Sequence, residues 1–161
     1  MKDNRVKYGV ISGLAMVLLL LVAYAIRKEL MLEWYVFYPI WIIPIYFMYK
    51  NAASLEATPD KVNDFKARFT QAFHTFALAA LIYFAFYYLM HQLDPSLEEI
   101  QKKAFIEFLP NVVSKSELER AIQNAENASF HMGLREALFG YGRALVGGGL
   151  IGGLIAVLTR K

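Results

Sequence analysis

Cysteine is absent from the 161-residue chain, so disulfides, thiolate metal sites, iron–sulfur clusters and a thiol nucleophile are excluded together. Histidine is scarce: His74, His91 and His131 stand apart, no pair is separated by one helical turn, and no His-Glu-x-x-His occurs. A helical metal site is not expected from that spacing. Charged residues make up only 19%, against about a quarter in a soluble domain. The net charge of +3 is not gathered into a Lys/Arg run, which argues against a nucleic-acid partner. No phosphate-cradling loop precedes a Lys-Ser/Thr pair, since Gly147-Gly148-Gly149 lies within an apolar stretch. Serine is nearly missing from the apolar stretches, where only Ser12 occurs, so a Ser/His/Asp arrangement would have to draw on both sides of a membrane. The expectation is a protein with no catalytic residues, no cofactor and no metal.

What is abundant is apolar and aromatic surface, 57% and 15% of residues. Four stretches of the length that crosses about 30 Å of hydrocarbon, near residues 6–26, 30–49, 69–90 and 138–158, predict a single membrane domain and a lipid bilayer as its surroundings. The first stretch, with Lys2, Arg5 and Lys7 before it and Ala23-Tyr24-Ala25 near its end, also has the layout of a signal peptide. It is read as an uncleaved anchor. The second is crowded with aromatics, and Trp34, Tyr35 and Tyr49 mark its ends at the headgroup level. Pro39 and Pro44 each remove a backbone donor there, which predicts a distorted helix, as a packing kink or a gating bend. Thr58-Pro59-Asp60 reads as an N-terminal cap, so that one long rod should run from about Pro59 through the third stretch.

Between the third and fourth stretches lies a polar segment, residues 92–136. Asp94-Pro95-Ser96 followed by Glu99 resembles a capping box, and Leu97, Ile100, Ala104, Phe105 and Phe108 recur at helical spacing. Pro110 ends that helix, and Ser116 with Glu119 opens a second whose apolar face is Leu118, Ile122 and Ala125. Both are too short to span, and they are expected on the membrane surface or folded over the bundle mouth. The fold class expected is thus all-α: a membrane bundle of four transmembrane helices with two amphipathic helices in the loop between spans three and four.

Orientation follows from basic residues in the short flanks. Lys2, Arg5, Lys7, Lys50, Lys61, Lys66, Arg68, Arg160 and Lys161 fall on the side of the termini, whereas the other side has Arg27 and Lys28 in its short loop and eight acids against five basic residues in its long one. The positive-inside rule makes the termini cytoplasmic and the long loop extracytoplasmic. Taken together, Lys7-Tyr8-Gly9 opening span one, the run Phe69 to Phe73 (Phe-Thr-Gln-Ala-Phe) opening span three, Asp94-Pro95 after it, a charged helical insert and a glycine-rich last helix with a basic end resemble a known family. It is the domain of unknown function 4199, found in small four-span membrane proteins, mostly of Bacteroidetes. The resemblance covers essentially the whole chain; it implies a bacterial inner membrane, with the long loop periplasmic, and brings no activity with it.

A few polar side chains fall within the hydrocarbon. His74 and Arg143 are the ionisable ones, placed roughly 15 Å apart along the membrane normal by counting 1.5 Å per residue from opposite ends. For His74 the reading is a neutral ring within a stripe of Thr70, Gln71 and Thr75 that reaches Ser12, with a proton relay as the alternative. For Arg143 it is snorkelling or a cation–π contact with Tyr87 or Tyr88, with an anion or substrate contact as the alternative. The aromatic run Tyr83, Phe84, Phe86, Tyr87 and Tyr88 has no axial ligand at its depth and is assigned to packing. In the last span Ala144, Gly148, Gly152 and Ala156 share one face, with Gly149 and Gly153 on the adjoining line, so a neighbouring helix could approach the backbone closely. The function expected is an accessory or scaffolding protein that packs with itself or with a larger membrane complex. The alternative is a small oligomeric transporter or channel using His74 and Arg143.

Overall fold

Long unbranched and small apolar residues over the first stretch favour a helix, and α1 runs over Asn4–Ile26. The chain then turns through a short 3-10 segment, Lys28–Leu32, before α2, Trp34–Ala53. The second long helix therefore starts a turn later than the expected residue 30, at the Trp34 that marks its aromatic end, and it continues as α-helix through Pro39 and Pro44. Then come α3 (Lys61–Leu93), α4 (Ser96–Phe108), α5 (Leu118–Asn127) and α6 (Leu134–Leu158). This computed structural model describes residues 4–56 and 61–160, and the cap assigned to Thr58-Pro59-Asp60 lies outside them. Among the described residues there is no strand.

Three helices are long and apolar enough to cross a membrane: α1, residues Asp64–Leu93 of α3, and α6. The second helix falls short of that apolarity because Pro39, Pro44, Lys50 and four tyrosines, Tyr35, Tyr38, Tyr46 and Tyr49, dilute its isoleucines. The surface of the bundle is apolar, as lipid requires. Leu14, Leu18 and Val22 of α1 and Val146, Leu150 and Leu154 of α6 all point outward.

Helix α3 is the hub, packed against α1, α2 and α6. Gly9 meets Leu78 and Gly13 meets Ile82, so α1 runs parallel to α3. Gly140 meets Phe84 and Gly148 meets Phe76, so α6 runs antiparallel. Around α3, α1 touches α2 and α2 reaches α6, whereas no comparable packing joins α1 to α6 among the described residues. Two cores result. One holds Met16, Leu20, Ile40, Ala79, Tyr83 and Met90 and is closed at one end by Met31 and Leu97. The other, toward the chain termini, holds Met48, Ala52, Ala72, Phe76 and Ile155.

Lipid tails are as apolar as leucine, so burial alone does not drive these helices together; close backbone approach does. A Cβ on Gly9 would lie 2.8 Å from the Leu78 Cβ, and one on Gly13 would lie 2.9 Å from the Ile82 Cβ and 3.2 Å from the Ala79 Cα. The reading of the sequence placed such contact on the last span alone. The spacing Gly9-x-x-x-Gly13 carries the same signal in the first.

Of the two placements open to the amphipathic helices, α4 takes the bundle mouth. Leu97 is buried and Ile100 packs on the first core, while Phe105 and Phe108 remain about half exposed. Phe105 meets Phe130 with ring centroids 5.5 Å apart, which helps draw the chain after α5 back onto α4.

Candidate functional site

Polar groups collect at the two ends of the bundle. At the end nearer the termini, Arg68 of α3 is fully buried, and its guanidinium donates to Asp64 Oδ2 at 2.8 Å one turn earlier on the same helix. Its other nitrogens donate to the carbonyls of Ala52 at 2.8 Å and Leu55 at 3.2 Å. Helix α2 ends there, where its carbonyls lack the amide of a following turn; the Leu55 amide reaches Ala52 at 3.3 Å, and Arg68 adds charged donors to Ala52 and to Leu55 just past the helix. A planar fork with five donors suits that task better than an ammonium. Next to it, Asn51 of α2, 1% exposed, donates through Nδ2 to Thr75 Oγ1 at 2.8 Å and to Gln71 Oε1 at 3.2 Å.

The expected stripe is therefore divided. Gln71 and Thr75, one turn apart, face α2 and pair with Asn51, whereas His74 is exposed on the side toward α1 and lies 3.4 Å from Arg5 through Nδ1. One residue along a helix is about 100° of rotation, enough to send His74 to a different neighbour from Thr75. Ser12 does not reach His74 either. Its hydroxyl is buried and has no partner among the described residues, and the same holds for the Trp41 indole N–H.

At the opposite end the chain leaves α3 through Asp94. Its Oδ1 accepts from the Ser96 amide at 3.1 Å and the Ser96 hydroxyl at 2.7 Å; its Oδ2 accepts from Tyr24 at 2.7 Å and lies 2.5 Å from Lys28 Nζ. Lys28 also donates to Ser96 Oγ at 2.8 Å. The Lys28 ammonium first, then the Ser96 and Tyr24 hydroxyls, hold the Asp94 carboxyl well below the ordinary carboxylate range, and Asp94 in turn raises Lys28. Asp94 thus holds the entry to α4 through the Ser96 amide, but among the described residues Glu99 does not close the expected capping box; the same carboxylate also fastens the end of α1. A second tie lies beneath α4. His91 Nδ1 donates to the Tyr87 carbonyl at 2.9 Å, leaving Nε2 to accept from Gln101 at 2.9 Å, while Gln101 also donates to the Tyr87 hydroxyl at 2.6 Å. Gln101 lies one turn beyond Leu97, on the inward face of its helix, and that spacing was available to find it.

Arg143 makes a cation–π contact of 4.3 Å with Phe139 rather than with Tyr87 or Tyr88. Helical side chains lean toward the N-terminus, and in α6 that direction leads to the residue one turn earlier. The pairings of Gly140 with Phe84 and Gly148 with Phe76 put Arg143 level with Leu81. That is seven residues from His74, about 10 Å along the axis, closer than counting from the helix ends implied. The guanidinium is exposed, and among the described residues no carboxylate or carbonyl accepts from it.

The packing face of α6 is used within the chain. A Cβ on Gly148 would overlap the Phe76 ring, and one on Gly152 would sit 3.6 Å from Met48 and Phe69; Ala156 is fully buried and Ala144 packs on the second core. The adjoining line is open, with Gly149 only 3.8 Å from Phe73 and nothing within 4 Å of Gly153. No three His, Asp or Glu side chains among the described residues could hold a metal ion. Both ends are built as ties between helices.

Residues 7–161 match a family described as a protein of unknown function (DUF4199), and the chain belongs to that family. No curated protein and no solved structure matches it.

Proposed function

Taking membership of a family with no assigned activity as the premise, we propose that this is a non-catalytic four-span protein of a bacterial inner membrane, with cytoplasmic termini, that acts as an accessory or scaffolding component of a membrane complex. A fourth span is supported by α2 lying between α1 and α6 against the same hub, with Phe37, Tyr38, Ile42 and Tyr46 turned outward. The observation that carries the accessory role is Arg143. An exposed guanidinium at hydrocarbon depth costs at least ~2.5 kcal/mol unless paired or hydrated, and a ring face repays only part of that.

It lies on an outward stripe with Phe139, Val146, Leu150 and Val157, all more than half exposed. Two copies meeting squarely on that stripe would set like charges together. The stripe therefore favours another membrane protein that offers a carboxylate or carbonyl to Arg143. Transport is opposed by the filling of the middle, where Trp41 meets Phe76, Tyr83 and Phe84 with centroids 5.4–6.1 Å apart between the polar ends.

Photo-crosslinkers at Val146 and Leu150, with Leu14 and Leu18 as outward controls, test the reading in native membranes. A discrete protein adduct at the α6 positions, lost in Arg143→Gln while the fold is kept, is expected. Lipid adducts alone at all four positions, or a proton or anion flux in liposomes abolished by Arg143→Lys or His74→Gln, would overturn it.

A further inference from the structure

The open side of the bundle, between α1 and α6, holds two cavities that share Leu81 and Tyr141 and so form one cleft along α3. The part nearer the termini, about 470 Å³, is lined by Arg5, His74, Leu78, Leu81 and Tyr141. The part beyond it, about 310 Å³, is lined by Leu81, Phe84, Tyr88, Leu138 and Tyr141 and is almost wholly apolar. We propose that this cleft holds one anionic phospholipid of the leaflet on the side of the termini, its phosphate at Arg5 and His74 and an acyl chain along Leu78, Leu81 and Phe84.

Charge and length both select that occupant. Arg5 stays protonated, so it donates across the 3.4 Å contact and His74 Nδ1 accepts. The neutral ring then carries its proton on Nε2, and the cleft has two kinds of N–H donor at its polar end. A phosphate diester offers the matching acceptors and charge. From His74 to Phe84 is ten residues, about 15 Å at 1.5 Å per residue, which is half of the roughly 30 Å hydrocarbon layer and therefore the depth of one leaflet. Within these two cavities the cation lies at the end toward the termini, as a lipid of that leaflet needs. Tyr141 fixes the floor, donating to the Ala77 carbonyl at 3.3 Å.

This inference rests on α1, α3 and α6 lying in the bilayer and not on the accessory role, so either can fail without the other. The test is thermal unfolding of delipidated protein in mild detergent with phosphatidylglycerol, phosphatidylcholine of the same chains, or glycerol phosphate. At a hundredfold excess over Kd, phosphatidylglycerol should raise Tm by about 5–10 °C, with phosphatidylcholine well below it and glycerol phosphate without effect. Arg5→Gln with His74→Gln should abolish the preference. If that variant does not fold, Leu81→Trp at a half-exposed position carries the test, and native mass spectrometry should then show one fewer retained lipid. Equal shifts from the two lipids, an equal shift from glycerol phosphate, a preference that survives the double substitution, an unchanged lipid count in Leu81→Trp, or a second protein copy in place of the lipid would each overturn the proposal.

Discussion

A buried guanidinium is costly when it loses its partners. Arg68 is enclosed by Asp64 and the carbonyls at the end of α2, so Arg68→Ala breaks a buried ion pair and removes the charged donors that tie α3 to that end. A loss of about 3–5 kcal/mol in detergent unfolding is expected, and Arg68→Lys should recover little of it, because one ammonium cannot serve a carboxylate and two separate carbonyls in a plane. Recovery by lysine to within 1 kcal/mol, on the order of one ordinary hydrogen bond, would show that charge alone matters there. In the sequence Arg68 was one of several basic residues counted toward topology. Its burial was not legible, since nothing in a linear chain says which basic residue faces the end of the preceding helix.

At the scale of elements, the junction of α3 with α4 is held to α1 by Lys28, Tyr24 and Asp94. A carboxyl whose folded value is depressed contributes stability that is present above its ordinary value, near 3.9, and lost as pH falls toward the folded one. A raised Lys28 behaves the opposite way, contributing fully below its ordinary value, near 10.4, and losing that contribution as pH rises through the raised one. The tie is therefore whole at neutral pH and opens on the acid side. Hydrogen exchange at the start of α4 and the end of α1 should quicken in the wild type as pH drops below about 4, after correction for intrinsic rates. Asp94→Asn should show the quick exchange at neutral pH and a flatter difference on acidification. The capping role of Asp94 could be read from its neighbours in sequence, whereas its partners Tyr24 and Lys28 lie about 70 residues away and could not.

For the whole molecule, orientation is the first property to test. Single cysteines at Lys2, Ala57 and Lys161 of this cysteine-free chain should be shielded from an impermeant thiol reagent in intact cells, and one at Gln123 should react. Labelling at Ala57 and not at Gln123 would invert the topology. Composition and period by themselves determined that the chain is helical, that several of its helices suit a membrane, and where the two short amphipathic helices lie, because these depend on local apolar content and on the 3.6-residue repeat. Tertiary structure alone decided that α3 is the hub, that Gly148 and Gly152 are consumed within the chain while Arg143 stays outside, and that Gln71 and Thr75 turn to Asn51 while His74 turns to Arg5. The reason is rotational: a helix's sequence fixes the angles between its side chains, but which of those directions meets a neighbour, lipid or an open cleft is set by how the other helices are arranged around it.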